Sequence, residues 1–345
     1  MNITFISPHP GFGGASTANQ NIAKMLSMKH SVTYIDEFLN TPSYPNSTIQ
    51  YSKFPLHKYR IFKQVLAYRY LSGLRSDYIL IGVPQICIYY IILFAILRIQ
   101  GVKVGLIFHS LRLNNSIKNR IIDTCIAMTS LIANQLFFVS KYTLDTWSSY
   151  KTIKRHRSKH IVYNAIEPTS FVKRKKSPRI KNIIFVGRFS LEKQPEIFCK
   201  LAQKLSHKYN FIAWGDGELK NDLEKKYAFC VTFKGFTSNQ DLIYKESDLL
   251  IVTSIFENCP MILLEAWSYG IPCLAPNVGG IPELVKNNIN GELFNSFNLD
   301  EIAEKIEYID TNYQSYQEQS YSISSQFTFL EIGKIWNKII EINKL

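Results

Sequence analysis

Two carboxylates, Glu257 and Glu265, stand seven residues apart on either side of Pro260, in a segment running from Ser254 to Glu283. Proline is favoured at the start of a helix, where its missing N–H would be unpaired anyway. The spacing predicts a helix beginning near Pro260, with Glu257 in the loop before it and Glu265 on its second turn. The N–H groups of Met261, Ile262 and Leu263 then face the same space, and a helix N-terminus attracts phosphate through such donors and its macrodipole. An anion site flanked by two carboxylates suits a ligand carrying both phosphate and sugar hydroxyls. Read in isolation, Glu257 is more often a helix-start charge and Glu265 a surface helix residue.

Other punctuated segments accompany this one. They are Val186-Gly187-Arg188-Phe189 with Lys193, Trp214-Gly215-Asp216-Gly217, Phe233-Lys234-Gly235-Phe236, and Gly279-Gly280-Ile281-Pro282-Glu283. Taken with the paired glutamates, this ordered set resembles the family 4 (group 1) retaining glycosyltransferases of GT-B fold: their V-G-R…K loop, G-x-G turn, F-x-G strand end, E-x7-E motif and G-G-x-x-E loop. The likeness is dense across roughly 180–295. It is looser in the first half, at Gly11 to Gly14, His109, Val139-Ser140 and Tyr163-Asn164.

The resemblance implies a donor site formed by Gly13, Gly14, Arg188, Lys193, Gly235, Glu257, Asn258, Pro260, Met261, Ile262 and Glu265, with His109, Glu257, Arg188 and Lys193 as the catalytic set. Arg188 offers a planar fork for phosphate oxygens and Lys193 a point charge on a long stem. Glu265 matches the carboxylate that accepts from ribose hydroxyls, and Glu257 the one that holds hydroxyls of the transferred sugar. His109 matches a donor-sugar contact whose backbone carbonyl supports positive charge at the anomeric carbon; a core histidine is the rival reading. Gly13 and Gly14 bring N–H groups to the diphosphate or acceptor, or else shape a turn. No D-x-D sequence offers to hold Mg²⁺ against a diphosphate, so the reading has no metal and no cofactor, with a nucleotide-diphosphate sugar as co-substrate.

The chain has 345 residues, 46% of them hydrophobic, which suits two packed domains and excludes disorder. Its six cysteines show no C-x-x-C pairing or metal spacing and read as core thiols of a reducing compartment. The N-terminus enters a strand directly, and no signal peptide is evident. Residues 1–170 hold 19 Lys and Arg against 6 Asp and Glu, while residues 171–345 hold 21 of each, so the whole net charge of +13 lies in the first half. That asymmetry implies an anionic partner such as a membrane surface, nucleic acid or acidic substrate.

The elements that must position these residues alternate as strand and helix. Ile3–Ile6, a Gly-rich loop, a helix over Thr17–Met28 and a strand over Val32–Ile35 open a doubly wound α/β domain. Tyr78 to Leu97 is apolar, but Gly82, Pro84 and Gln85 interrupt it. It reads as a buried strand over 78–83 and a helix over 86–98, not a membrane span. Strands follow at Val102–Phe108 and Gln135–Val139. A basic joint at 172–181 precedes a second α/β unit, with a strand over Asn182–Val186, a helix over Pro195–Leu205, and strands over Phe211–Trp214, near 230–233 and near 248–252.

The expected architecture is two Rossmann-like doubly wound domains facing a cleft. Residues 1–171 form an acceptor-binding domain and 172–327 a nucleotide-sugar-binding domain. Residues 328–345 form a helix which, by analogy with the family, crosses back to the first domain. The basic-aromatic stretch Lys53–Arg75 places Tyr59, Phe62, Leu66 and Tyr70 on one helical face. That predicts an interfacial helix, with Lys58, Arg60, Phe62, Lys63 and Arg69 as membrane contacts; an amphipathic helix packed on its own domain is the alternative.

The function expected is metal-independent transfer, with retention, of a sugar from a nucleotide sugar, UDP-sugar favoured, to a saccharide acceptor, lipid-linked, in surface polysaccharide assembly. The expected location is cytoplasmic, peripheral at the inner face of the membrane. A sugar-nucleotide epimerase or hydrolase on the same fold is the alternative enzyme. A nucleic-acid-binding protein is the alternative class, and it lacks a recognised motif.

Overall fold

The computed structural model describes residues 1–7, 13–36, 49–52, 64–109, 116–167 and 178–341. The chain forms two compact units, one of residues 1–165 joined by the terminal segment from Phe329, the other Ile166–Thr328. The sequence boundary at 171/172 lies outside the described residues.

The first unit is built on seven parallel strands: β1 (Asn2–Ile6), β2 (Ser31–Ile35), β3 (Ile49–Ser52), β4 (Tyr78–Ile81), β5 (Lys103–Phe108), β6 (Gln135–Phe138) and β7 (Lys159–Ile161). Their order is β3-β2-β1-β4-β5-β6-β7, so the winding reverses between β1 and β4. Right-handed crossovers put every helix that steps from β4 towards β7 on one face of the sheet. There the helix Cys87–Ile99 packs Tyr90, Leu93, Phe94 and Leu97 into a core shared with Ile126, Ala127 and Trp147.

The helix Gly14–Ser27 steps the other way and meets the terminal helix Phe329–Glu341. Trp336 of that helix stacks on Phe137 of β6 with centroids 4.3 Å apart. Gln135 donates to the Ile339 carbonyl at 3.0 Å, and His30 bonds Asn337 at 2.9 Å. Phe329, Ile332 and Ile340 are buried with Trp336, whereas Ile335 faces outward.

The expected interfacial helix falls only partly on the described residues. Lys58, Arg60, Phe62 and Lys63 lie outside the described residues, as does Tyr59. The helix that follows them, Gln64–Gly73, buries Ala67 and Leu71 and packs Tyr70 against its own domain's core; Arg69 is exposed. Its described apolar face is thus satisfied internally.

The second unit carries six parallel strands: β8 (Asn182–Val186), β9 (Asn210–Trp214), β10 (Val231–Gly235), β11 (Leu249–Ile251), β12 (Cys273–Pro276) and β13 (Gly291–Phe294). Their order is β10-β9-β8-β11-β12-β13. β8 is a run of apolar residues because both faces are covered, and Ile183 and Ile184 are fully buried. Helix Pro195–Leu205 opens on a proline at its first position and buries Phe198, Cys199, Leu201 and Ala202 on one face. All six strands point the same way, so their following loops gather at one edge. The reversal between β8 and β11 is where such sheets bind ligands.

Candidate active site

Arg188 and Lys193 sit in the loop after β8, and Glu257 in the loop after β11, on either side of the reversal. Lys193 Nζ bonds Glu257 Oε1 at 2.6 Å, so the parallel order joins two charges 64 residues apart in sequence. Ser254 Oγ donates to the same carboxylate oxygen at 3.0 Å. Two more bonds stitch the loops together. Thr253 Oγ1 donates to the Lys193 carbonyl at 2.7 Å, and Ile255 N–H to the Glu192 carbonyl at 2.9 Å. Sequence reasoning missed Thr253 and Ser254; their position immediately after an apolar strand was the available signal. Arg188 is exposed and makes no ion pair among the described residues.

The helix predicted near Pro260 is Met261–Ser268, with Pro260 as its cap residue and no side-chain cap. Of the three N–H groups expected to be free, Leu263 donates back to the Pro260 carbonyl at 3.3 Å, leaving Met261 and Ile262. Asn258, Pro260 and Met261 are buried beside Cys259. Glycines let the neighbouring loops approach. A Cβ on Gly279, whose φ is +57°, would lie 1.9 Å from the Glu257 carbonyl oxygen, which also accepts from Gly280 N–H at 2.9 Å. A Cβ on Gly215, φ +134°, would lie 1.9 Å from the Gly187 carbonyl oxygen. Gly235 closes β10 and accepts from Gly215 N–H at 2.9 Å.

Glu265 has a different partner from the Lys193–Glu257 pair. Its Oε2 accepts from the buried Tyr244 hydroxyl at 2.9 Å. Burial pushes its carboxyl above the ordinary glutamate range, opposed by hydrogen bonds from Tyr244 and Gln240. The same burial, with the Glu265 charge beside it, drives the Tyr244 hydroxyl well above its ordinary value.

In the first unit, Gly13 is extended (φ −170°) and Gly14 begins the helix. A Cβ at either meets nothing within 4 Å among the described residues, so the backbone there does not demand glycine. Gly11 lies outside the described residues. His109 is half-buried at the end of β5 and bonds Asn19 Oδ1 at 2.6 Å through Nε2. Asn19 is fully buried, and its amide nitrogen donates to Ser7 Oγ at 2.9 Å and to the Gly82 carbonyl at 3.3 Å. Since Oδ1 accepts, His109 Nε2 is the protonated nitrogen. Asn19 therefore ties the ends of β1, β4 and β5 together, a role the sequence did not signal. Ser140 caps the helix Lys141–Trp147, accepting from Thr143 N–H at 3.1 Å, which accounts for the Val139-Ser140 pair.

Residues 167–324 match the family model described as "Glycosyl transferases group 1". The match spans nearly the whole of the second unit, Ile166–Thr328, which is thus similar to that family. A curated relative is the O-antigen biosynthesis glycosyltransferase WbnH of Escherichia coli, 32% identical over 160 residues that make up 46% of each chain. Another is the E. coli UDP-Gal:alpha-D-GlcNAc-diphosphoundecaprenol alpha-1,3-galactosyltransferase, 34% identical over 126 residues, 33% of each chain. The chain thus spans about half the length of the curated relatives it matches, or less. Among solved structures, Anabaena Alr3699/HepE in complex with UDP superposes with a TM-score of 0.81 at 18% identity, covering 99% of this chain and 100% of that one. The lipopolysaccharide outer core galactosyltransferase WaaB in its apo form gives 0.74 at 20% identity, covering all of both chains. These likenesses show the GT-B fold, with two parallel-sheet α/β domains.

Proposed function

We propose that the protein transfers a sugar from a nucleotide-diphosphate sugar, a UDP-sugar by preference, to a saccharide acceptor. The observation that carries this reading is the grouping at the β8–β11 reversal of Arg188, Lys193, Glu257 and the uncapped helix start at Met261 and Ile262. It offers cations and N–H donors for a diphosphate and carboxylates for hydroxyls. Support for a uridine donor comes from HepE, solved with UDP and with UDP-glucose. Support for a lipid-linked acceptor in surface polysaccharide assembly comes from the E. coli relatives.

The chain's own groups have definable tasks in this reaction. As the glycosidic bond to the diphosphate breaks, negative charge grows on the leaving oxygens. The Met261 and Ile262 N–H groups are donors that the helix backbone fixes in place before that happens, which is where preorganised charge lowers a barrier, and the exposed Arg188 adds its cation from the loop after β8. Lys193 has three N–H donors and commits one to Glu257, so a single ammonium can span carboxylate and phosphate. Glu257 then holds the transferred sugar and Glu265 the ribose. No protein nucleophile is invoked: the acceptor hydroxyl attacks the anomeric carbon on the face the diphosphate leaves, the leaving diphosphate oxygen takes the hydroxyl proton, and the anomeric configuration is retained. Mass spectrometry of products from a panel of nucleotide sugars and a lipid-linked acceptor tests the reading: one added sugar per acceptor supports it, while free or isomerised sugar alone points to a hydrolase or epimerase.

The two carboxylates separate in their effects. Glu265→Gln keeps the Tyr244 bond but weakens charge-assisted contacts to ribose. UDP affinity falls about tenfold, about 1.4 kcal/mol. Because the Glu265 pKa is raised in the fold, its ionisation near neutral pH opposes folding. The variant therefore melts no lower than the parent at pH 7, and the parent's disadvantage vanishes on acidification below the unfolded glutamate pKa. Glu257→Gln spares UDP affinity and lowers kcat. Calorimetry and melting curves check both, and the reverse pattern would swap the roles.

Metal independence is part of the same reading. Transfer activity should survive excess EDTA; its loss on chelation, restored by Mg²⁺ or Mn²⁺, would refute a charge clamp built from side chains alone.

A further inference from the structure

But for Arg98, the helix Cys87–Ile99 is apolar all round, reading Cys-Ile-Tyr-Tyr-Ile-Ile-Leu-Phe-Ala-Ile-Leu-Arg-Ile. Such helices belong in a core or a bilayer. Here only one side is covered. On the outer side, past a kink at Tyr90 (φ −123°, ψ 21°), Ile92, Ile96 and Ile99 recur at helical spacing, with Ile92 63% and Ile99 86% exposed; Tyr89, before the kink, is exposed as well. The neighbouring helix Ile117–Thr129 lies on the same sheet face and carries a second stripe of Ile117 (78% exposed), Ile121 (59%) and Met128. A depression of about 280 Å³ opens beside Ile117, Ile121 and Arg120. Isolated exposed apolar residues need no explanation, but two adjacent stripes mark an interaction surface.

The charges around the stripes choose the partner. Between Pro84 and Ala133 the only acidic residue is Asp123, which is buried, while Arg98, Lys118 and Arg120 are exposed. An apolar face whose own two helices carry exposed basic residues and no exposed acid matches an anionic lipid leaflet, where each basic residue adds attraction and apolar side chains enter the acyl boundary. At 1.5 Å per residue the helix Cys87–Ile99, kinked at Tyr90, is at most about 20 Å long, short of the ~30 Å hydrocarbon core. No helix among the described residues is long and apolar enough to cross a membrane. We infer that the paired faces of Cys87–Ile99 and Ile117–Thr129 dock the protein flat on an anionic bilayer. The inference deepens the lipid-linked acceptor reading and rests on it only for the kind of surface engaged.

Sedimentation of the full chain with vesicles tests it without any donor or acceptor. Vesicles of phosphatidylglycerol mixed with phosphatidylcholine should carry the protein down, and phosphatidylcholine alone should carry far less. Ile92→Asn with Ile99→Asn, both exposed and so harmless to folding by circular dichroism, should lower binding on the order of tenfold or more. Lys118→Gln with Arg120→Gln should lower binding to the anionic vesicles on the order of tenfold and remove most of its salt dependence. A parent that ignores anionic vesicles overturns the inference, as does an apolar variant that sediments like the parent. A parent that elutes as a dimer, with the apolar variant monomeric, assigns the face to a second copy and also overturns it. Transfer to a soluble acceptor, assayed in parallel, reports separately on the enzymatic reading.

Discussion

Arg188→Ala and Lys193→Ala each lower kcat/KM for sugar transfer on the order of a hundredfold, about 2.7 kcal/mol, the scale for removing one preorganised charge donor. The two variants differ in stability, and the difference is the sharper test. Arg188 is exposed and makes no ion pair among the described residues, so its removal leaves the melting temperature unchanged. Lys193 is bonded to Glu257 at 2.6 Å, and their side chains are only 25% and 14% exposed. Lys193→Ala leaves that carboxylate half-buried without its cation, which costs on the order of 1 kcal/mol after allowance for solvent screening. Adding Glu257→Gln to Lys193→Ala should restore the stability but not the activity, a non-additive pair of the kind expected for direct contacts. Parent-like kcat/KM in either single variant removes that residue from the site.

Gly279→Ala is the second large effect, and it acts through backbone. The residue sits at φ +57°, in the left-handed region that costs an L residue about 1–2 kcal/mol. The added Cβ would also fall 1.9 Å from the Glu257 carbonyl oxygen, so the loops after β11 and β12 must separate. The Gly280 N–H bond to that oxygen, 2.9 Å, is lost with them. Stability should fall by about 2 kcal/mol or more, and transfer by a factor comparable to Arg188→Ala, because Glu257 moves with its backbone. Thermal melts and steady-state assays check both. An active, parent-like Gly279→Ala would mean that the close approach of the two loops has no bearing on Glu257.

What the sequence made legible follows from local physics. Strand β8 and the helix Pro195–Leu205 emerged with the boundaries seen, because an apolar run ends at Gly187 and a proline opens the helix. Pro260 marked the start of Met261–Ser268 for the same reason. Contacts between distant segments were illegible. Nothing near Lys193 announces Glu257, and nothing near His109 announces Asn19, ninety positions earlier. Only the strand order brings these partners together.

The apolar helix Cys87–Ile99 shows a different limit. A helix apolar on every side carries no periodic signal of which side is covered. The sequence therefore marks 86–98 as an apolar helix without saying which side is covered, and points to the basic-aromatic stretch Lys53–Arg75 for a lipid-facing one. In the structure Ala67, Tyr70 and Leu71 of that stretch pack into the domain, and the uncovered apolar stripes lie on Cys87–Ile99 and Ile117–Thr129 instead.

The central claim is that the loops after β8 and β11 hold a nucleoside diphosphate. Calorimetric titration of UDP into the full chain and into Arg188→Ala tests it most directly. The parent should bind saturably and the variant at least about tenfold more weakly, with unchanged melting. Equal affinity in the two proteins, or no heat from UDP or any other nucleoside diphosphate, would contradict it.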